Sequence, residues 1–173
     1  QVPQDDFDCN CNITTRVGDD CVSDPNISNP LPQQLNTSVT VLKYEDTGGT
    51  FANVRFDING NFDLTNRSSF SLKLYVPSSG ITGNQANQIS LKLQDGNLAE
   101  PWSTQSEVIK TIVLDQWQEV SFNFATDLFR NLDPSSHPPT ERTDFNCLVI
   151  QINGENNQDK VLAYIDDFYF DSN

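Results

Sequence analysis

The sequence predicts an all-β fold, a two-sheet antiparallel β-sandwich with jelly-roll connectivity, and three observations predict it. Almost no segment carries a 3.6-residue apolar period. Short runs alternate apolar and polar residues instead, the pattern of a strand with one buried face. Between the runs lie Gly, Asn, Asp, Pro and Ser, the residues of turns.

Each run can be placed in order. "SVTVLKYE" (38–45) is followed by a Gly-Gly turn and "FANVRFDI" (51–58), which sets Val54, Phe56 and Ile58 on one face. "FSLKLYVP" (70–77) points Phe70, Leu72, Leu74 and Val76 inward and stops at a proline. "ISLKLQDG" (89–96) alternates Ile89, Leu91 and Leu93 with Ser90, Lys92 and Gln94. "EVIKTIVL" (107–114) comes next, then "WQEVSFNFA" (117–125), which buries Val120, Phe122 and Phe124. "CLVIQIN" (147–153), an opening strand at "DDFD" and the closing run "KVLAYIDDFYFDSN" (160–173) complete the set. Only "TDLFRNL" (126–132) reads as a short helical turn, capped by Thr126. Under jelly-roll connectivity, strands one, eight, three and six form one sheet, and two, seven, four and five form the other. The second sheet then holds 51–58, 147–153, 89–94 and 107–114, with Phe51, Asn53, Arg55, Asp57, Gln151, Asn153, Lys92 and Gln94 pointing outward.

The chain of 173 residues has the length of one domain, read as 1–173 with residues 1–27 as a disulfide-tied N-terminal elaboration. A net charge of −14 and a pI near 4.1 repel phosphate backbones and anionic lipid, so nucleic acid is excluded as a partner. A neutral ligand suits this charge better than a polyanion, although acidity also simply keeps a secreted protein soluble. No run of about 18 apolar residues exists, so no membrane insertion is expected. No signal-peptide pattern opens the chain, and Gln1 is read either as a mature N-terminus left by cleavage or as an arbitrary boundary.

Four cysteines are present: Cys9, Cys11, Cys21 and Cys147. A zinc site wants CxxC-type pairs or histidines, and the single histidine, His137, lies in the Pro-rich loop "SSHPPT". Two disulfides are the expectation, one closing an N-terminal loop at Cys21 and one reaching Cys147, with three pairings open. Disulfides imply an oxidising compartment, hence a secreted or cell-surface protein. Asn-X-Ser/Thr triplets at Asn12, Asn26, Asn36 and Asn66 occur about as often as the composition yields by chance.

In the closing run, strict alternation puts Asp166 on one face with Tyr164, Phe168 and Phe170, and Asp167 on the other. A carboxylate among aromatics is costly unless something neutralises it. The two acids cannot then act together on one substrate. Nucleophilic triads have no basis either, since His137 has no plausible partner and the cysteines read as paired. With 24 acids, a pair at a glycosidase-like distance has almost no specificity, so no enzyme is expected.

The stretch "NPLPQQLNTSVTVLKYEDTGGTFANVRFDI", with "SLKLYVPSSG", "ISLKLQDG", "QWQEVSFNF" and "YIDDFYF" in order, resembles the galactose-binding-like carbohydrate-binding modules of Bacteroidetes secreted and surface glycan-degrading proteins. The resemblance covers roughly residues 28–171 and implies a galactose-binding-like jelly roll that binds polysaccharide without catalysis. It implies association with a glycan-degrading enzyme or surface receptor. Two departures stand out: the family's exposed tryptophan falls on Phe51, and Asn53 replaces a glycine. "CNCNITTRVGDDC" matches nothing in the template.

A sugar-binding face needs exposed aromatic rings for the C–H faces of pyranoses, beside amides and charged groups for hydroxyls. Phe51, Asn53, Arg55, Asp57, Lys92, Gln94, Gln151 and Asn153 supply these, although a solvated outer face of any antiparallel sheet carries similar residues. Trp102, in "DGNLAEPWSTQSE", is either a lid on the core or an exposed stacking ring, and is counted with the ligand-binding set. Trp117 opens an alternating strand and resembles the family's structural tryptophan, so it is expected in the core. Asp166 is either an acid satisfied by backbone amides or, as in such modules, a ligand of a structural calcium. Asp6 and Asp8 on the first strand are its expected partners, with Asp46 a further candidate, because calcium collects six to eight oxygens. A structural or adhesive β-sandwich of a surface assembly is the competing reading; the cysteines and the unmatched N-terminus favour it.

Overall fold

The computed structural model describes residues 4–8, 12–33 and 35–171. Among them twelve strands follow one another: β1 (Gln4–Asp5), β2 (Thr15–Asp19), β3 (Cys21–Ser28), β4 (Thr40–Asp46), β5 (Asn53–Phe62), β6 (Ser69–Tyr75), β7 (Gln88–Gln94), β8 (Ser106–Thr111), β9 (Gln118–Asn123), β10 (Phe129–Asn131), β11 (Phe145–Ile152) and β12 (Val161–Asp171). They form two antiparallel sheets. Sheet A runs β3-β4-β12-β6-β9 with β1 also paired to β12, and sheet B runs β10-β8-β7-β11-β5-β2. The division of the long strands between the sheets is the one that jelly-roll connectivity predicts.

Alternation explains the core. Phe70, Leu72 and Leu74 of β6 meet Val54, Phe56 and Ile58 of β5, Leu91 and Leu93 of β7, and Leu148 and Ile150 of β11 between the sheets. Burying such side chains stabilises a fold by roughly 1.5–3 kcal/mol each. At one end Phe70 stacks on Phe170 at 4.4 Å and meets Phe124 edge-on at 5.9 Å.

The 126–132 stretch departs from the expected helical turn. Phe129–Asn131 pairs with β8, Phe129 opposite Val108, and packs its half-buried ring against the core. The free edge of β8 offers backbone partners that an isolated turn lacks. The Asp127 carboxylate accepts the Asn123 amide at 2.7 Å and pairs with Lys110, shaping the turn into this strand.

The N-terminal segment adds to both sheets. β2 extends sheet B beside β5, and β3 extends sheet A beside β4. The chain crosses from one sheet to the other at Asp20, which has φ +47°. A Cβ on Gly18 would overlap the Cys21 carbonyl oxygen, so glycine is required where the chain doubles back.

Cys21 and Cys147 are free thiols, contrary to the two bridges expected for them; Cys9 and Cys11 lie outside the described residues. The fold explains why Cys21 and Cys147 do not join. Cys21 packs on the core at the edge of sheet A, whereas Cys147 lies opposite Asp57 and Gln94 in the middle of sheet B. Burial pushes each thiol up to about 12.

The closing strand also corrects a reading. β12 bulges between Asp166 and Tyr169, with Asp167 at φ +47°. The extra residue shifts the phase of alternation, so Ile165, Phe168 and Phe170 all face the core. Asp166 does not share a face with Phe168 and Phe170. It stands opposite Lys73, and Asp167 pairs with the Lys73 ammonium at 2.6 Å, so both acids lie on the outer side of sheet A. Trp117 is buried as expected, but against Tyr75 on that outer side, its ring N–H donating to the Leu31 carbonyl at 2.8 Å.

Candidate functional site

The outer face of sheet B carries the candidate site. Cross-strand register sets Val17, Arg55, Val149, Lys92, Glu107 and Arg130 in one row across six strands. A parallel row runs through Thr15, Asp57, Cys147 and Gln94. Above this floor opens a cleft of about 720 Å³. Seven residues of the predicted set line it: Phe51, Asn53, Arg55, Lys92, Gln94, Trp102 and Gln151.

The walls differ in chemistry from the floor. Phe51, in the turn before β5, and Trp102, in a short 3₁₀ turn at Pro101–Thr104, are 52% and 54% exposed. Val17 on β2 and Leu132 after β10 add apolar surface at similar exposure. Following strand order, Val17 and Phe51 stand on the β2–β5 side, and Trp102 and Leu132 stand on the β7–β10 side. Trp102 is thus an exposed ring and not a lid on the core.

On the floor, Lys92 is buried and held by Glu155 at 3.1 Å and Glu107 at 3.8 Å, while Arg130 reaches Glu107 at 2.7 Å. Desolvation is the largest influence on the Arg55 guanidinium and lowers its pKa, but the 2.6 Å bond to Asp57 together with the charges of Cys147 and Asp57 outweighs it and leaves the pKa above its ordinary value. Thr15 donates to the other Asp57 oxygen at 2.7 Å. Gln94 donates to Gln105 at 3.2 Å, and Gln151 donates to the Ala52 carbonyl at 3.2 Å. These bonds fix the floor side chains before any ligand arrives, which lowers the ordering cost of binding.

Two predicted residues lie outside this cleft. Asp57 lines a neighbouring cavity, with Arg55 on the border between the two. Asn153 is buried at φ +59° and accepts the Gln88 amide at 3.2 Å, so it shapes the turn after β11. Conversely, Val17, Asp19, Gln105, Leu132 and Glu155 line the cleft without having been singled out. Glu155, close behind the "CLVIQIN" strand, and Gln105, three residues after Trp102, had positions that could have pointed to them.

The four acids expected at a cation do not converge. Asp46 pairs with Val161, five residues along β12 from Asp166 and roughly 16 Å away. Its carboxylate accepts the Gly48 and Gly49 amides at 2.7 and 3.0 Å, which closes the turn after β4. Asp8 is exposed and accepts the Thr40 amide at 3.3 Å. Asp166 is fully buried, and desolvation raises its pKa, while the neighbouring Ser38 and Asn36 side chains act to lower it. Its Oδ1 accepts the Asp167 amide at 2.9 Å, but its Oδ2 has no hydrogen-bond partner among the described residues. Asp6 and Asp166 both lie close enough to Tyr169 to act on it; burial first, then these charges with that of Asp167, push its phenol up to about 12. Among the described residues no three His, Cys, Asp or Glu side chains form a metal cluster. An orphaned, buried carboxylate oxygen beside amide and hydroxyl groups nevertheless suits a hard cation in kind.

No family model matches the chain, and no curated protein matches it in sequence. Solved structures do match in shape. A point variant of a family 29 carbohydrate-binding module superposes with a TM-score of 0.56 at 11% identity, over 99% of this chain and 90% of its own. The family 11 carbohydrate-binding module from Clostridium thermocellum, in complex with a β-1,3-1,4-mixed-linked tetrasaccharide, gives 0.62 at 12% identity, over 99% and 95%. An exo-β-agarase gives 0.64 at 9% identity, over 97% of this chain but 25% of the enzyme. At such identities the likeness establishes the fold, a β-sandwich shared with carbohydrate-binding modules.

Proposed function

We propose that this chain is a non-catalytic carbohydrate-binding module that holds a polysaccharide in the cleft on sheet B. The observation that carries this is the pair of exposed rings, Phe51 and Trp102, standing over a floor of fixed amides and ion pairs. Rings take the C–H faces of sugar residues, and Gln94, Gln105 and Gln151 take hydroxyls. The glycan is neutral. Both cations in the cleft, Arg55 and Lys92, already face carboxylates, and Asp19 and Glu155 add negative charge. Extracellular placement and linkage to a glycan-degrading enzyme fit this role. The exo-β-agarase, in which a region the size of this chain is a quarter of the whole, supports the second point.

Affinity electrophoresis against β-glucans, mannans, xylans and galactans tests the reading. Retardation on at least one gel is expected, and β-glucan leads the panel because the family 11 neighbour holds a mixed-linked β-linked oligosaccharide. Unretarded migration on every gel sinks the proposal.

A structural calcium at Asp166 belongs to the same reading. Asp166 Oδ2, with oxygens of Asn36, Ser38 and Asp6, would hold it where β1, β4 and β12 meet. Its contribution is charge neutralisation in a buried place, not chemistry. The thermal midpoint is expected to rise by several degrees in millimolar calcium relative to EDTA, since a ligand of the native state stabilises by mass action. An identical midpoint in both buffers removes the metal.

A further inference from the structure

A second cavity of about 490 Å³ opens on the same face of sheet B, beyond the aromatic cleft. Arg55 lines both. The outward residues of β5 run from one to the other: Asn53, Arg55, Asp57, Asn59 and Asn61, roughly 25 Å of strand. The far cavity contains no aromatic ring among the described residues. Beside Arg55, Asp57 and Ile58, its lining is amide: Asn59, Asn61, Asn97 and Asn146, with Gly60 and Gly96 as bare backbone.

These amides divide into two kinds. Asn61 and Asn146 are committed to the frame: Asn146 donates to Asn61 at 3.0 Å and accepts the Gly96 amide at 2.7 Å, and Asn61 donates to the Thr143 carbonyl at 3.0 Å. Asn59 and Asn97 are exposed, and neither side chain has a hydrogen-bond partner among the described residues. Between the cavities, a Cβ on Gly96 would lie 2.8 Å from the Arg55 guanidinium and 3.1 Å from Cys147 Cβ. The missing side chain keeps the border at Arg55 clear.

We infer that the two cavities form one track, and that the far one reads hydroxyl groups of a continuing sugar chain through Asn59 and Asn97. The ligand class is therefore the interior of a linear neutral polysaccharide several rings long, not a chain end or a short oligosaccharide. This inference rests on the cleft reading above. The aromatic cleft supplies stacking, whereas the far cavity supplies directional hydrogen bonds, so its share of the affinity depends on chain length.

Calorimetric titration of trisaccharides and hexasaccharides from the β-1,4-gluco, β-1,4-manno and β-1,4-xylo series tests it. A hexasaccharide presents about four trisaccharide registers, so statistics alone give up to about fourfold. The expected ratio of affinities in the series that binds is about tenfold or more. In the Asn59→Ala/Asn97→Ala variant the ratio is expected to fall to the statistical level, with trisaccharide affinity unchanged. Both positions are exposed, so the variant is expected to keep the wild-type thermal midpoint. A wild-type ratio of fourfold or less, or an undiminished ratio in the double variant, overturns the track while leaving the cleft reading standing. No binding in any series overturns both.

Discussion

Replacing Trp102 with alanine is expected to weaken binding to the preferred polysaccharide by about 30-fold, with the thermal midpoint unchanged within about a degree. The magnitude follows from truncating an aromatic anchor at the centre of a contact, about 2 kcal/mol. The fold does not depend on this ring, which is 54% exposed. The one hydrogen bond that Trp102 supplies to its turn runs from the Gln105 amide to its carbonyl oxygen, and alanine keeps it. Affinity electrophoresis, with Phe51→Ala in parallel, reads the effect. Phe51→Ala should also weaken binding, but less, because its ring is smaller. Wild-type affinity in both variants would show that the cleft does not stack sugars.

The largest stability effect is expected at Phe70. It is fully buried, and Phe62, Phe124, Phe168 and Phe170 all have ring centroids within 6.1 Å of its own. Phe70→Ala removes the ring that these four share and leaves a cavity that packed neighbours fill only partly. The expected loss is about 3–5 kcal/mol, lowering the midpoint by roughly 6–20 °C in a domain of this size. Urea unfolding measures it. A loss below about 1 kcal/mol would mean that this end of the core repacks freely.

Alternation made most of this molecule legible. It separated Val54, Phe56 and Ile58 from Asn53, Arg55 and Asp57, and jelly-roll order then gathered Arg55, Lys92, Gln94 and Gln151 on one face. The floor of the cleft was readable because its residues sit where regular strands put them. Legibility ended where a strand's geometry departs from its period. The bulge at Asp167 reversed the faces of Phe168 and Phe170 relative to Asp166, and nothing local in "YIDDFYF" announces an extra residue. Asn153 looked like a floor amide but sits at positive φ, in a turn. "TRVGD" was unreadable as a strand because its partner, β5, lies some forty residues away and decides which side is wall and which is core. The cysteines misled for the same reason: spacing says nothing about which sheet each thiol joins.

Val17 and Asp19 stand on an edge strand whose interior-facing contact is Arg16, paired with the buried Asp5. One wall of the cleft is thus carried by Val17 and Asp19, whose side chains make no hydrogen bond or ion pair to another part of the sandwich among the described residues, whereas Thr15 on the same strand braces Asp57. Changes there alter what the cleft admits without loosening what holds the two sheets together. Under the proposed glycan-binding role, a change of ligand would therefore meet the least resistance at Val17 and Asp19, where recognition is uncoupled from folding.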